Sequence, residues 1–249
     1  MPITFNTGVS NTTDASATIT FTIPGGVLVN DVMLLSLTCF NEVVVTPTIA
    51  FSGGDGGWTL VSVNKGTNPE VAFGGGLFSY GYAYYRIATS GDPGATITIT
   101  GSGSGFDSTN TWWAAAVASY TTVSTASPID VAGGKSAYTA GPDVTFSVTS
   151  PSLNPTFTTD MAVYLGSGAP GTGSIYSGPP LMTSRESIVS DVGIGAVISD
   201  SNGPAGRSIV SGTFTTNWQG AAWLTAFTVG LTAADGGGQG PVFTSYRTG

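Results

Sequence analysis

The sequence holds no histidine and one cysteine, so any chemistry it performs falls to carboxylates, hydroxyls and aromatic rings. Without histidine there is no Ser-His-Asp or Cys-His constellation, no imidazole metal ligand and no general base that titrates near neutrality. A tetrahedral zinc centre is left without ligands. Two carboxylates at a suitable separation suffice for glycoside hydrolysis. The three glutamates, however, Glu42, Glu70 and Glu186, stand beside turns or polar loops. Aspartates sit where turns and strand starts want them, as in Asp92-Pro93 and Asp200-Ser201-Asn202-Gly203. Loop oxygens near Asp55, Asp107 or Asp200 are the candidates for calcium, and none has the spacing of an EF-hand loop. "GSGSGF", residues 101–106, is like a nucleotide-binding glycine loop in letters only, because no βαβ unit surrounds it. The expectation is a protein with no cofactor and no enzymatic activity.

Aromatic rings are the second chemistry-bearing group. In "YGYAYYRIA", residues 80–88, the alternating Tyr80, Tyr82 and Tyr84 share one face of a strand. With Trp58 they form a candidate surface for stacking on a sugar or a partner, since rings give large contact area at low entropic cost. Packing in a core accounts for the same rings equally well. A third candidate closes the sequence given: "AADGGGQGPVFTSYRTG", residues 233–249, reads as a Gly-rich C-terminal arm. In it a glycine hinge is followed by Val242, Phe243, Tyr246 and Arg247, a short anchor expected at a subunit contact; the plainer reading is a frayed end.

Composition limits what positions these groups. Among 249 residues there are 37 Gly and 14 Pro, only 8% are charged and 41% are hydrophobic. That is too apolar for disorder and too poor in Glu, Lys and Arg to clothe several surface helices. The six basic residues, Lys65, Arg86, Lys135, Arg185, Arg207 and Arg247, are scattered in a chain of net charge −8. Neutralising phosphates requires clustered cations, so no nucleic-acid partner is expected. No window of about 18 apolar residues suggests a membrane span, and "MPITFNTGVS" lacks the basic start and apolar run of a signal peptide. Cys39, inside "MLLSLTCF", reads as a small buried hydrophobe.

Alternation predicts strands at "ATITFTI" (17–23), "GGWTLVSV" (56–63), "YGYAYYRIA" (80–88) and "TITIT" (96–100), and a continuous apolar run predicts one at "DVMLLSLTCF" (31–40). "NTWWAAAVASY" (110–120) is apolar on both alternating sets: Trp113, Ala115 and Val117 on one face, Trp112, Ala114, Ala116, Ala118 and Tyr120 on the other. A strand of that kind belongs inside a layered sheet or against a second subunit. The order recurs as "DVTFSV" (143–148), "TDMAVYLGSG" (159–168), "VGIGAVIS" (192–199), "SIVSGTF" (208–214) and "NWQGAAWLTAF" (217–227). Two such halves, about 1–130 and 131–232, cannot each bury an apolar face alone. We therefore expect an all-β, two-sheet β-sandwich of jelly-roll type, one domain over 1–232, with 124–142 crossing between the halves.

The order "TITFTIPGG…NDVMLLSL…GWTLV…YYRIATSGDPGATITIT…AAAVASYTTVSTASPID" resembles a β-sandwich family of tailed-bacteriophage virion genes, found in capsid decoration, tail-associated and tail-fibre proteins. The resemblance covers roughly residues 15–230 and brings no catalytic residue with it. It implies a particle component made in the host cytoplasm and carried on the virion surface, with the major capsid protein or other virion proteins as partners. A homo-oligomer is expected, a trimer by analogy with jelly rolls on capsid three-fold axes. The acidic balance argues for the outside of the shell. A tail-associated receptor- or carbohydrate-binding module is the alternative.

Overall fold

Thr, Val, Ile and aromatic residues alternate along most of the chain, and a period of two builds strands. The computed structural model describes residues 1–41, 47–55, 57–61, 71–73, 77–104, 106, 108–139, 144–169, 182–205, 213–218 and 222–234, with side chains left aside at 71–73, 77–78, 136–139, 144–146, 169, 213–218 and 222–223. Sixteen strands lie among them. The first nine are β1 (Thr4–Thr13), β2 (Thr18–Thr22), β3 (Val32–Asn41), β4 (Thr48–Ser52), β5 (Thr59–Leu60), β6 (Val71–Phe73), β7 (Leu77–Ile87), β8 (Thr96–Ser102) and β9 (Thr111–Thr121). The remainder are β10 (Ile129–Thr139), β11 (Val144–Thr149), β12 (Met161–Ala169), β13 (Thr183–Val189), β14 (Gly195–Pro204), β15 (Thr213–Trp218) and β16 (Ala222–Leu231).

Both halves follow one wiring. The first builds a large sheet in the order β1-β9-β3-β7-β5, with β6 also on β7, and a small sheet β2-β8-β4. The second builds β10-β16-β12-β14-β13 and β11-β15. Every pairing is antiparallel. Registers match too: Val32 faces Tyr120 in the first half as Met161 faces Leu231 in the second.

The all-β sandwich is what the chain forms, but in four layers rather than the two sheets expected. Each large sheet is buried on both faces. In β3, Val32 and Leu34 point toward the other half, while Met33, Leu35, Leu37 and Cys39 point toward β2-β8-β4. In β9, Ala114, Ala116, Ala118 and Tyr120 take the inter-half face and Trp113, Ala115 and Val117 the opposite one, the division expected from alternation. Across the inter-half core stand Met161, Val163, Leu165, Phe227, Val229 and Leu231. Alanines on one sheet thus receive large side chains from the other, which is how facing layers interdigitate. The second half has its own core, in which, among the described side chains, Val148, Ala162, Tyr164, Val197, Leu224 and Ala226 meet.

Where the inter-half core turns polar, hydroxyls close it. Ser36 Oγ donates to the Gly166 carbonyl (2.8 Å) and Thr38 Oγ1 to the Gly195 carbonyl (2.6 Å). Such buried donors would cost about 1–3 kcal/mol each if left unmade.

Five strands escape the sequence reading: β1, β4, β6, β10 and β13. β1 precedes the first expected strand, and β10 occupies the 124–142 segment expected only as a crossing. All five are sheet-edge strands, each with one strand neighbour, so their outer positions need no apolar pattern. The expected strand at 56–63 shortens to Thr59–Leu60, with 56, 62 and 63 outside the described residues. The one expected at 208–214 has only Thr213 and Phe214 inside them.

Candidate functional site

The tyrosine stripe exists and faces inward. Tyr80, Tyr82 and Tyr84 are 0%, 4% and 8% exposed. Their rings stack along β7 with centroids 6.5 Å and 6.0 Å apart, beneath the small sheet. Phe51 of β4 meets Tyr84 edge-on at 4.9 Å and stacks on Trp58 at 5.8 Å. Burial pushes the Tyr84 phenol up to about 12 and the Tyr82 phenol higher. No sugar ring can lie on faces that are already covered. Trp58 is half-buried, with Phe21 edge-on at 6.3 Å. Trp112 packs on Phe40, and the side chains of Trp218 and Trp223 lie outside those described.

Cys39 is free, fully buried and held as a thiol, because burial raises its pKa. A nucleophilic or ligating cysteine needs the thiolate and access, and this one has neither.

Four described carboxylates have structural partners instead of chemical openings. Asp92 pairs with Arg86 and also accepts from the Thr89 amide at 2.8 Å; Arg86 is 1% exposed. Gly54, at φ +65°, lies against that pair, where a side chain would collide with both partners. Asp200 is fully buried and receives Arg185 in bidentate fashion, 2.7 and 2.9 Å, and it also accepts from the Asn202 amide two residues on (2.8 Å), so it is an ion-pair partner as well as a turn residue. Arg185 also donates to Asn202 and lies 4.8 Å over the Phe5 ring, tying β13 to β1 across the halves. Glu186 rests on Gly8 of β1, and burial raises its pKa while the Ser10 hydroxyl opposes the rise. Asp31 accepts from Asn6 Nδ2 (2.7 Å), the Leu28 amide (3.0 Å) and Ser119 Oγ (2.8 Å).

Asp160 differs. It is fully buried and neither oxygen has a hydrogen-bond partner. Burial and the neighbouring Asp130 push its carboxyl up to about 7; the Phe157 and Ala233 amides oppose the shift without reaching normal hydrogen-bond geometry. Nothing in the sequence pattern marks this pair, because Asp130 and Asp160 are thirty positions apart and each looks like a strand-start residue.

Among the described residues no group of three or more His, Cys, Asp or Glu could hold a metal ion. Of the calcium candidates, Asp55 lies against Gly91, Asp200 is held by Arg185, and Asp107 is outside the described residues, as are Glu42 and Glu70. The expected anchor Val242, Phe243, Tyr246 and Arg247 lies outside them as well.

One open cleft of about 580 Å³ lies where the halves join. Its lining comes from Leu28, Val29, Asn30 and Asp31 between β2 and β3, from residues 121–126 after β9, and from Ala234. Leu28 and Val29 are 58% and 55% exposed, large apolar side chains next to each other at its rim. No helix is long and apolar enough to cross a membrane among the described residues. No family model, curated protein or solved structure matches the chain.

Proposed function

We propose that the chain is a structural component of a tailed-phage particle, an outer-surface capsid decoration protein that binds the shell and stabilises it through protein–protein contacts. The observation that carries this reading is where the chemistry-bearing side chains go. Tyr80, Tyr82, Tyr84, Cys39, Arg86 and Asp200 are all spent on packing or ion pairing inside a four-layer stack. What such a module offers a partner is shape and rigidity. The pairing orders β1-β9-β3-β7 over β2-β8-β4, and β10-β16-β12-β14 over β11-β15, support a jelly-roll reading of each half. Net charge of −8 supports a place outside the packaged DNA. The alternative, a carbohydrate-binding module, draws no support from the tyrosine stripe, which is covered.

Immunogold labelling of purified particles, with antibody raised against the chain, tests the proposal. Label distributed over the head is the expected result, together with DNA release at lower temperature from particles lacking the chain. Label confined to the tail tip, or no chain in the particles by mass spectrometry, overturns it.

A further inference from the structure

The cleft at the joint of the halves has a feature that names its occupant. Ala234, the last residue described, forms part of its wall, held there by its amide on the Thr122 carbonyl (2.8 Å). Fifteen residues follow it, opening Asp235-Gly-Gly-Gly-Gln-Gly-Pro and then carrying Val242 and Phe243. The same cleft is lined by Leu28 and Val29, the two apolar side chains that the β2–β3 loop leaves in water.

We infer that this cleft is a docking site for the chain's own 240–247 segment, with Val242 and Phe243 against Leu28 and Val29. Phe243 stands nine positions after Ala234, and at about 3.3–3.6 Å per residue that tether reaches up to about 30 Å, ample for a return into the cleft beside its own root. Glycines 236–238 allow the reversal that a side-chain-bearing tether would resist. A short tether also holds the segment at an effective concentration in the millimolar range. The arm of a second copy, free in dilute solution, cannot match that. The inference concerns the free chain and does not depend on the virion reading.

The double variant Val29→Cys/Phe243→Cys tests it, because the native Cys39 is fully buried and takes no part in mild oxidation. Oxidised at micromolar concentration, the folded protein should form an intramolecular disulfide in most molecules within minutes. The pair Val192→Cys/Phe243→Cys, with one cysteine on the exposed turn between β13 and β14, should cross-link at least tenfold more slowly. A second readout leaves both residues native: Leu28→Asp should raise the rate of protease cleavage within 235–249 about tenfold while circular dichroism stays unchanged. Disulfide-linked dimers in place of the intramolecular bond would overturn the inference in favour of arm exchange between copies. Equal rates for the two cysteine pairs, or no bond at all, would overturn docking altogether.

Discussion

The two halves share a wiring and differ in how they satisfy one buried carboxylate. Asp31 and Asp160 each stand immediately before the third strand of their half, β3 and β12. The residue that approaches them comes from an irregularity in the first strand, at Asn6 in β1 and Asp130 in β10. In the first half Asn6 donates a hydrogen bond, and Ser119 of β9 adds a second. In the second half the equivalent positions hold Asp130, which has no proton to give when ionised, and Gly230, which has no side chain. The same backbone thus makes one satisfied carboxylate and one that two carboxyl groups can occupy only by sharing a proton. Burial is not what separates the two sites; donor supply is.

The private cores can be compared at one matched position. Trp113 and Leu224 are equivalent, each paired across the ladder with the eighth residue after its half's aspartate, Cys39 and Gly168. Trp113 is fully buried, donates from Nε1 to the Ser16 carbonyl (2.8 Å) and meets Phe106 edge-on. Trp113→Ala should cost about 3–5 kcal/mol. Leu224→Ala should cost about 2–3 kcal/mol. Equal losses in chemical unfolding would mean that the two cores carry the same weight at this position.

Ion pairing gives the next contrast. Arg86 is sealed, and its Nε and Nη1 have no partner, so Asp92→Ala leaves a buried cation with nothing opposite it. A loss of about 3–5 kcal/mol is expected. Arg185 is 16% exposed at its side chain and keeps Asn202 and the Phe5 ring when Asp200 is removed. Asp200→Ala should therefore cost about 1.5–3 kcal/mol. A larger loss for Asp200→Ala than for Asp92→Ala would show that the joint between β13 and β1, not the sealed turn, is the more demanding of the two.

How far the sequence could foresee this follows from what kind of pattern each feature leaves. The two-faced character of β9 was legible, because alternation states directly that Trp113 and Ala114 point opposite ways. The repeat was legible in order, since both halves need the same strands. The layer count was not, because an apolar face says that something covers it and not whether the cover is the other half or a small sheet of the same half. β1, β4, β6, β10 and β13 were missed because edge strands tolerate polar residues. The tyrosine stripe was read correctly as one face, but periodicity cannot tell an inward face from an outward one when both faces of the strand are apolar. Asp130 and Asp160 were invisible, since their meeting depends on register.

That pair makes the smallest and sharpest prediction. Folding raises the Asp160 carboxyl from 3.8 to about 7, so between those values the folded chain binds a proton that the unfolded chain has released. Stability should fall as pH rises from about 4 to 7 and level off above, the reverse of the usual behaviour of a hydrogen-bonded aspartate. Asp130→Asn gives the second half the solution the first already uses: an amide can accept from the Thr156 amide as Asp130 does and donate to Asp160. It should raise stability at pH 8 by about 1–2 kcal/mol and remove the decline between pH 4 and 7. Asn6→Asp is the reciprocal change, and should destabilise at pH 8 by a similar amount and recover on acidification. Urea unfolding of both variants at pH 5 and pH 8 decides the matter. If Asp130→Asn leaves the pH dependence of the wild-type chain intact, Asp160 is not the group that sets it, and the contrast between the halves at this position has no energetic consequence.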